Sequence, residues 1–385
     1  MEHPTALILI AFAAFLLPLL AGHLRAPAVV LEILFGILVG PSLADWIQAS
    51  EILDLLGELG LFLLMFLSGF EIDFAKLERQ GMTEITTALG IFILTLALSQ
   101  MTTHRLGYGL FMTLVLATTS VGLVVPTLRN TRRISTRLGQ IVLLSAILAD
   151  FLTLLMVALL AIVHRHGVSF ELLKMPVLFL VIVFVLRALR LAVWWYPERF
   201  RRLFTPDDPE ELGMRASLAL MLAFVGLSRV LDVEPILGAF LAGTVFAFVF
   251  RNRGLLEHQL NGFSYGFLIP IFFINIGIRF ELAVLLDPEM LLRALEIIGA
   301  AFLVKLLPSL LLLFQRFPLR EVLASGTLLS ARLSLIIAVA TVGVELGMLA
   351  SEDRSVAILL AAVTTSLSPT IFRILAPALP ARAAA

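Results

Sequence analysis

The chain has 385 residues, of which 60% are hydrophobic and 15% are charged, and its formal net charge is zero. Soluble domains usually carry roughly 25% charged residues, so this composition argues strongly against a water-soluble protein. The balanced charge gives no support for nucleic-acid binding. The sequence contains no cysteine, which excludes disulfides and thiolate chemistry.

Long apolar runs, bounded by charged residues, proline or glycine, recur along the whole chain. A helix needs about 20 apolar residues to cross a bilayer, and its backbone groups must be satisfied internally, so each run predicts a transmembrane helix. The sequence therefore predicts an all-α polytopic membrane protein with about 13 transmembrane helices. The first run has no basic segment before it, so we interpret it as a span and not as a cleaved leader. The predicted spans cover residues 5–22, 28–44, 53–70, 84–101, 108–128, 137–162, 173–193, 211–231, 234–250, 264–279, 289–314, 320–345 and 354–376.

The basic residues of the predicted loops indicate the orientation of the chain. The loops on one side, together with the C-terminus, hold about 18 Lys and Arg residues, against about six on the other side. Arg129, Arg132 and Arg133 lie in one loop of the basic set. Basic loops remain in the cytoplasm, so we predict a multi-pass protein of the cell inner (plasma) membrane with its N-terminus outside and its C-terminus cytoplasmic.

The predicted loops leave no room for a soluble domain of useful size. The longest of them, about residues 194–210, is short and charged and contains proline, as connecting segments do. We therefore expect one transmembrane domain over residues 1–385, without a cytoplasmic regulatory domain.

Three charged residues are predicted to lie deep inside spans, where charge is costly and marks a functional candidate. Asp150 and Arg332 lie near the middle of their spans, and Lys305 lies in the second half of its span. Desolvation favours the neutral form of a buried carboxylate, whereas a nearby cation favours the charged form, so the two effects together can place proton binding near physiological pH. Asp150 can then hold either a proton or a metal cation. Exposing it to each side in turn would give cation/proton exchange.

A structural role is the alternative for each of these residues. Asp150 and a cation can form a fixed buried pair that only holds helices together. Lys305 and Arg332 can neutralise helix C-termini or a carboxylate. The residues alone leave both interpretations open.

Two predicted spans contain small and polar residues that interrupt a regular apolar helix. One stretch is Ala117-Thr-Thr-Ser-Val-Gly122, and the other runs from Ser325 to Ser334. Irregular backbone at membrane depth is tolerated where it lines a cavity, and broken helices in both halves of a chain mark the binding site of inverted-repeat transporters. Such clusters also occur where helices pack closely, so composition alone does not decide between the two readings.

Other features point to structure and away from enzymatic activity. Glu32, beside the Gly36 and Gly40 pair, and Glu58 are interpreted as residues that pair with polar groups across packed helix interfaces. The sequence contains no zinc-protease, P-loop or nucleophile-elbow motif. We expect no enzymatic activity and no cofactor.

Several segments carry motifs beyond hydrophobicity. They are Pro27-Ala-Val-Val-Leu-Glu32-Ile-Leu-Phe-Gly36-Ile-Leu-Val-Gly40-Pro41, Leu56-Gly-Glu58-Leu-Gly60, Leu64-Met-Phe-Leu-Ser-Gly69-Phe-Glu71, Ala117-Thr-Thr119-Ser120-Val-Gly122, Gly238-Ala-Phe-Leu-Ala-Gly243 and Pro270-Ile-Phe-Phe-Ile-Asn-Ile-Gly277. Together they resemble the monovalent cation:proton antiporter-2 family, the group of bacterial sodium/proton antiporters and potassium-efflux systems. Lys305 falls where the sodium/proton members carry a buried lysine. The resemblance runs along nearly the whole chain.

The resemblance implies an inverted-repeat sodium/proton antiporter-like fold with two crossed broken helices, assembled as a homodimer in the lipid bilayer. Core helices, about 84–162 and 289–376, would move in an elevator-like manner. Helices of about 1–80 and 173–279 would form the dimerisation and scaffold part.

The resemblance also implies roles for single residues. Asp150 would bind the metal cation (Na+ or K+) or the proton. Thr119 and Ser120 would lie at the helix crossing as ion-binding residues. Lys305 would be the cationic neighbour of Asp150, with Arg332 as a second supporting charge.

Two positions depart from the family pattern. Ala149 precedes Asp150, where electrogenic members carry a second acid and many electroneutral exchangers carry an Asn. One acid leaves one exchange site, so we predict electroneutral one-for-one exchange. Leu333-Ser334 follow Arg332, where many relatives have a glycine and an acid, so ion coupling can be altered or lost there.

The sequence thus predicts a secondary active transporter that exchanges Na+ or K+ for H+. The alternatives are potassium efflux through a channel-like protein and a non-transporting membrane sensor on the same scaffold. An intramembrane aspartyl protease would need two facing aspartates, and only Asp150 is deep. An organic-anion symporter would show more polar cavity residues. Carboxylate, hydroxyl and carbonyl oxygens suit Na+, Li+ and K+ alike, so the ion itself stays open.

Overall fold

A computed structural model of the chain describes residues 3–24, 27–72, 81–167, 169–195, 211–250, 254–282 and 286–379. This part of the chain is helical, as predicted. Its helices are α1 (His3–Leu24), α2 (Ala28–Val39), α3 (Glu51–Phe70), α4 (Met82–Arg105), α5 (Leu110–Ala117), α6 (Val121–Asn130), α7 (Arg137–His166), α8 (Lys174–Trp195), α9 (Leu212–Val230), α10 (Pro235–Val249), α11 (Gly254–Phe263), α12 (Ile269–Ile278), α13 (Pro288–Ser309), α14 (Leu319–Leu329), α15 (Ser334–Glu345) and α16 (Ser351–Leu375).

The membrane spans agree with the prediction in kind, and their predicted number is not confirmed. Within the described residues, 10 helical stretches are long and apolar enough to cross a membrane, or 11 if the bent pair α14 and α15 counts as one span. Helices α2 and α10 fall at two further predicted spans, but they are shorter apolar helices. Helix α2 ends at Val39 because Pro41 disfavours the helical conformation at Gly40, the residue between them. The count of about 13 spans therefore stays a prediction.

The span predicted at residues 264–279 begins earlier than its hydrophobicity indicates. Helix α11 starts at Gly254, and one π-helical turn, Ser264–Leu268, joins it to α12. The added turns contain Gln259, whose amide donates to the Glu211 carboxylate at 2.7 Å. A hydrophobicity pattern misses these turns because polar residues can continue a helix beyond the apolar stretch.

The chain folds into two compact units. Unit 1 comprises Met1–Phe74 and Val157–Phe280, and unit 2 comprises Ala75–Met156 and Glu281–Ala385. The division of the helices into a scaffold part and a moving core part concerns roles, and it stays a prediction.

Close helix contacts in unit 1 depend on small residues. A Cβ atom added at Gly36 of α2 would overlap the carbonyl oxygen of Ile274 in α12, and one at Gly277 would overlap the carbonyl oxygen of Ile33. Glycine at both positions lets the two backbones touch, as small residues do in membrane helix pairs. The interface predicted around Gly36 is therefore present.

Unit 2 contains two helices that are broken near their middle, α5–α6 and α14–α15. Helix α5 packs against α4 and α15, whereas α14 packs against α13 and α16. The far ends of the broken helices are also tied together. Arg133, which follows α6, donates to the Glu321 carboxylate in the first turn of α14 at 2.9 Å and to the Pro377 carbonyl at 3.4 Å. These contacts hold both breaks within one packed unit.

Candidate cation and proton site

The first break lies where the sequence predicts it. Helix α5 ends at Ala117, Thr118 and Ser120 are extended, and α6 begins at Val121. The Thr118 hydroxyl donates to the Val115 carbonyl at 2.8 Å, which satisfies one of the carbonyls that the helix end leaves open. Threonine and serine make such local bonds readily, and this is why they favour helix ends over helix interiors.

The second break is narrower than the predicted polar stretch. Helix α14 ends at Leu329, α15 begins at Ser334, and the two halves are bent by 44°. The break lies inside the stretch from Ser325 to Ser334, whose first part stays helical. The Ser325 hydroxyl donates to its own helix at the Glu321 carbonyl, 2.8 Å away. Gly326 leaves room for α13, since a Cβ there would lie 2.9 Å from the Leu306 Cα.

Lys305 of α13 joins the two breaks. Its side chain is buried, with 2% of the residue exposed. The ammonium donates to the Ala117 carbonyl at 2.7 Å and to the Thr119 hydroxyl at 2.8 Å. The Thr119 hydroxyl in turn donates to the Leu329 carbonyl at 3.2 Å. One lysine and one threonine thus connect the C-terminal ends of α5 and α14.

Arg332 lies within the second break and is completely buried. Its guanidinium donates to the carbonyls of Leu116 at 2.7 Å, Ala301 at 3.1 Å and Ser330 at 3.1 Å. Helix C-termini carry partial negative charge and carbonyls without helical partners. Lys305 and Arg332 therefore cap the ends of α5 and α14 by donating to their open carbonyls.

The carbonyl of Arg332 is held as well. The Thr365 hydroxyl of α16 donates to it at 2.8 Å, and the Thr364 hydroxyl, whose shorter bond is to the Leu360 carbonyl at 2.8 Å, lies 3.4 Å away. The irregular backbone of the second break therefore has partners of its own, as backbone at membrane depth requires.

Asp150 of α7 faces the start of α6 at the first break. The residue is 4% exposed, and the Val121 N–H donates to its Oδ2 at 3.5 Å. A helix N-terminus carries partial positive charge and favours a carboxylate. Asp150 also lies close enough to Lys305 for their charges to attract. Both interactions favour the ionised carboxylate, whereas its burial favours the neutral form.

Three of the five predicted site residues, Thr119, Lys305 and Arg332, bond to each other or to neighbouring carbonyls at the two breaks, and Asp150 faces the first break through the Val121 N–H. Ser120 contributes backbone at the start of α6, and its side chain makes no capping hydrogen bond. In the described residues no three His, Asp or Glu side chains are grouped as a metal site. The candidate site is built from one carboxylate with hydroxyl and carbonyl oxygens around it.

Comparison with known proteins places the chain in a family. The family model described as "Sodium/hydrogen exchanger, transmembrane" matches residues 10–377. The chain belongs to this sodium/hydrogen exchanger family. The resemblance to monovalent cation:proton antiporters that the sequence motifs carry is therefore confirmed.

Two relatives illustrate the match. The Na(+)/H(+) antiporter homologue YjbQ of Bacillus subtilis (strain 168) is 32% identical over 392 aligned positions, which cover 96% of this chain and 62% of YjbQ. GerN of Bacillus cereus, named a Na(+)/H(+)-K(+) antiporter, is 26% identical over 360 positions, which cover 92% of this chain and 91% of GerN. Both names describe transporters and not enzymes.

A solved structure shares the fold. The sodium proton antiporter MjNhaP1 from Methanocaldococcus jannaschii superimposes with a TM-score of 0.69 over 97% of each chain, at 18% identity. The predicted antiporter-like fold with two broken helices is therefore confirmed.

Sequence reasoning missed part of the network in this sodium/hydrogen exchanger. The carbonyl acceptors of Leu116 and Ala301 are backbone atoms of apolar residues, so no side-chain pattern reveals them. The hydroxyls of Thr364 and Thr365 leave a usable signal, because adjacent polar residues in the middle of a span are uncommon where nothing binds them.

Proposed function

We propose that the chain is a secondary active transporter that exchanges a monovalent cation, Na+ or K+, for H+ across the membrane. One observation carries the proposal. Asp150, an acid buried in unit 2, faces the N-terminus of a broken helix and lies near Lys305, in a chain of the sodium/hydrogen exchanger family. We keep both cations because carboxylate and hydroxyl oxygens suit either of them.

Exchange follows from competition at one carboxylate. An ionised Asp150 attracts a cation, whereas a protonated Asp150 does not, so each ligand displaces the other. Lys305 and Arg332 keep their places in both states, because their N–H groups are bonded to carbonyls and to a hydroxyl at the ends of α5 and α14. Lys305 and Arg332 stabilise the two helix breaks, and Asp150 alone changes its ligand.

One-for-one exchange is the simplest stoichiometry for this site. The position before Asp150 is Ala149, which is buried and has no titratable group. A single acid holds either one proton or one monovalent cation. We therefore propose electroneutral exchange, and a transport current that reverses with membrane potential would contradict it.

Alternating access of the elevator type is supported by the location of the site. Asp150, Thr119, Lys305 and Arg332 all belong to unit 2. A site contained in one packed unit can move as one body without losing its contacts. We further propose a homodimer in the plasma membrane with the N-terminus outside and the C-terminus cytoplasmic, the orientation that the basic loops favour.

The test is a liposome assay with a trapped pH dye. Purified protein is reconstituted, Na+, K+ and Li+ are pulsed in turn, and the assay is repeated with Asp150→Asn, which preserves the shape of the side chain and removes its charge. We expect a cation-driven pH change in the wild type and none in the variant. Cation-driven pH change in Asp150→Asn would show that exchange does not take place at Asp150.

A second candidate is a channel-like or sensor protein on the same scaffold. Ala149 and Leu333 favour it, because Ala149 stands where the family pattern has an acid or Asn, and Leu333 begins the pair where many relatives have a glycine and an acid. Folded wild-type protein that gives no pH change with any of the three cations would support this second candidate and contradict exchange.

A further inference from the structure

A hydroxyl group without a partner lies one turn from Asp150. Thr153 of α7 is completely buried, and its hydroxyl oxygen has no hydrogen-bond partner among the described residues. Residues three apart on a helix are neighbours on its surface, with Cβ atoms roughly 5–6 Å apart. The Thr153 hydroxyl and the Asp150 carboxylate therefore share one face of α7.

Other buried threonines of unit 2 behave differently. Thr95, Thr127, Thr327 and Thr364 each donate to the carbonyl four residues earlier in their own helix, at 2.7, 2.7, 2.6 and 2.8 Å. This bond is available to a threonine inside a helix at little cost. Thr153 does not make it, so its hydroxyl remains available to another partner. A buried hydroxyl without a protein partner calls for an explanation, and a water molecule, an ion or another ligand at that position supplies one.

The hydroxyl that the sequence singled out is already in use. Thr119 accepts a hydrogen bond from Lys305 and donates its own hydrogen to the Leu329 carbonyl. A hydroxyl has one hydrogen and two lone pairs, so Thr119 keeps at most one lone pair for an ion. Small hard cations are bound by several oxygens, of which one carboxylate supplies only part.

We propose that the Thr153 hydroxyl oxygen is a ligand of the transported cation, beside the Asp150 carboxylate. The inference rests on the proposed exchange function and names a further residue of the same site. When Asp150 is ionised, the lone pairs of Thr153 face the cation. When Asp150 is protonated, the same oxygen accepts the hydrogen bond of the carboxylic acid. Thr153 thus contributes to both states of the exchange cycle and sets the apparent affinity for the cation.

Paired variants in proteoliposomes test the assignment. Thr153→Val keeps the shape and removes the hydroxyl, whereas Thr153→Ser keeps the hydroxyl. We expect the valine variant to raise KM for the cation about tenfold with kcat within about twofold, because one ligand oxygen is lost. The serine variant should stay within about twofold of wild type in both constants. Thr153→Ala is read in the same way if the valine variant does not fold.

A second readout separates binding from folding. Valine at this position removes a buried polar group without a partner, so the Tm of the cation-free protein in detergent should not fall. The rise in Tm on adding Na+ or K+, which reports binding to the folded state, should shrink in the valine variant. A merely structural hydroxyl would give the opposite pattern, with a lower Tm and an unchanged response to the cation.

Ser99→Ala is the matched control. Ser99 of α4 is also completely buried, and its hydroxyl also has no partner among the described residues. Its removal should leave KM unchanged. An equal rise in KM in this control would overturn the role of Thr153, because the effect would then be general to buried hydroxyls.

The failure of this inference is distinguishable from failure of the proposed function. If Asp150→Asn is inactive and Thr153→Val has wild-type KM, Thr153 is not a ligand and exchange at Asp150 stands. If Asp150→Asn transports normally, the exchange site is elsewhere, and an unchanged cation-dependent Tm in Thr153→Val then overturns Thr153 as well. A wild type that neither transports nor gains Tm with any cation overturns both.

Discussion

The two units treat the charged side chains of their helices differently. In unit 1, acids and bases pair with each other at positions open to the surroundings: Glu58 accepts from Arg229, and Lys174 donates to Asp232 at 2.5 Å. Glu32 and Glu234 are exceptions, since both are buried: Glu32 lies one turn before the contact between α2 and α12, and Glu234 accepts from Arg165 at 2.9 Å. In unit 2, the charged residues at the two helix breaks are buried, and Lys305 and Arg332 donate to backbone carbonyls.

Under the proposed exchange function, this difference separates structural charges from functional ones. An exposed ion pair contributes little to stability, commonly less than about 1 kcal/mol. A buried charge is costly to keep, and the cost is acceptable only where partners compensate for it or where function requires it. The two helix breaks satisfy the first condition, because helix-end carbonyls accept from Lys305 and Arg332, and the proposed exchange at Asp150 would supply the second.

The largest effect should come from removing Arg332. Arg332→Met leaves the carbonyls of Leu116, Ala301 and Ser330 without these donors, which should cost roughly 3 kcal/mol or more of stability. We expect a large fall in the Tm of the detergent-solubilised protein, together with loss of cation-driven pH change. Arg332→Lys keeps the charge but not the planar set of donors, so it should lie between wild type and the methionine variant.

Arg187 offers a matched control for this comparison. It lies on α8 of unit 1 and is exposed, so Arg187→Met removes the same groups from an open position. The Tm of this variant should stay close to that of wild type. An equal fall in Tm in Arg332→Met and Arg187→Met would show that the buried position of Arg332 does not make it more important for stability.

A smaller effect is expected from Thr119→Val. The substitution removes the acceptor for Lys305 and the donor for the Leu329 carbonyl, so it should cost about 1–3 kcal/mol. Thr119→Ser retains both bonds and should behave like wild type in thermal unfolding and in the liposome assay. Thr95→Val, which removes only a bond within α4, should lower Tm less than Thr119→Val does. A larger fall in Tm in Thr95→Val than in Thr119→Val would mean that the link between the two breaks contributes little to stability.

Much of this organisation could be predicted from the sequence, because a bilayer makes deep charge and interrupted helices conspicuous. Asp150, Lys305 and Arg332 were identified from depth alone, and the segment from Ala117 to Gly122 contains the first break. Both signals reflect large energies, namely desolvation of charge and unsatisfied backbone in an apolar medium.

The partners of these residues could not be predicted in the same way. The residues alone allowed Arg332 to neutralise either a carboxylate or helix ends, and the structure shows three carbonyls. Which backbone carbonyls are open to accept depends on where helices end and pack, and residue types alone do not show this. Thr153 could not be predicted either, because what sets it apart is a missing hydrogen bond. Comparison with Thr95 and Thr364, which bond to their own helices, reveals it.

The smallest effect should come from the exposed pair of Lys174 and Asp232 in unit 1. The hydrogen bond from Lys174 lowers the pKa of the Asp232 carboxyl below its usual 3.8. A lowered pKa in the folded state gives stability that is present above the ordinary pKa and is lost as pH falls through the folded value. Asp232→Asn should therefore lower Tm by less than about 2 °C at neutral pH, and the difference should vanish well below pH 3.8. A double-mutant cycle with Lys174→Met, measured by thermal unfolding at both pH values, isolates the pair from the other contacts of Lys174. A coupling as large as the loss in Arg332→Met, or one that persists in acid, would remove the contrast between the exposed pairs of unit 1 and the buried charges of unit 2.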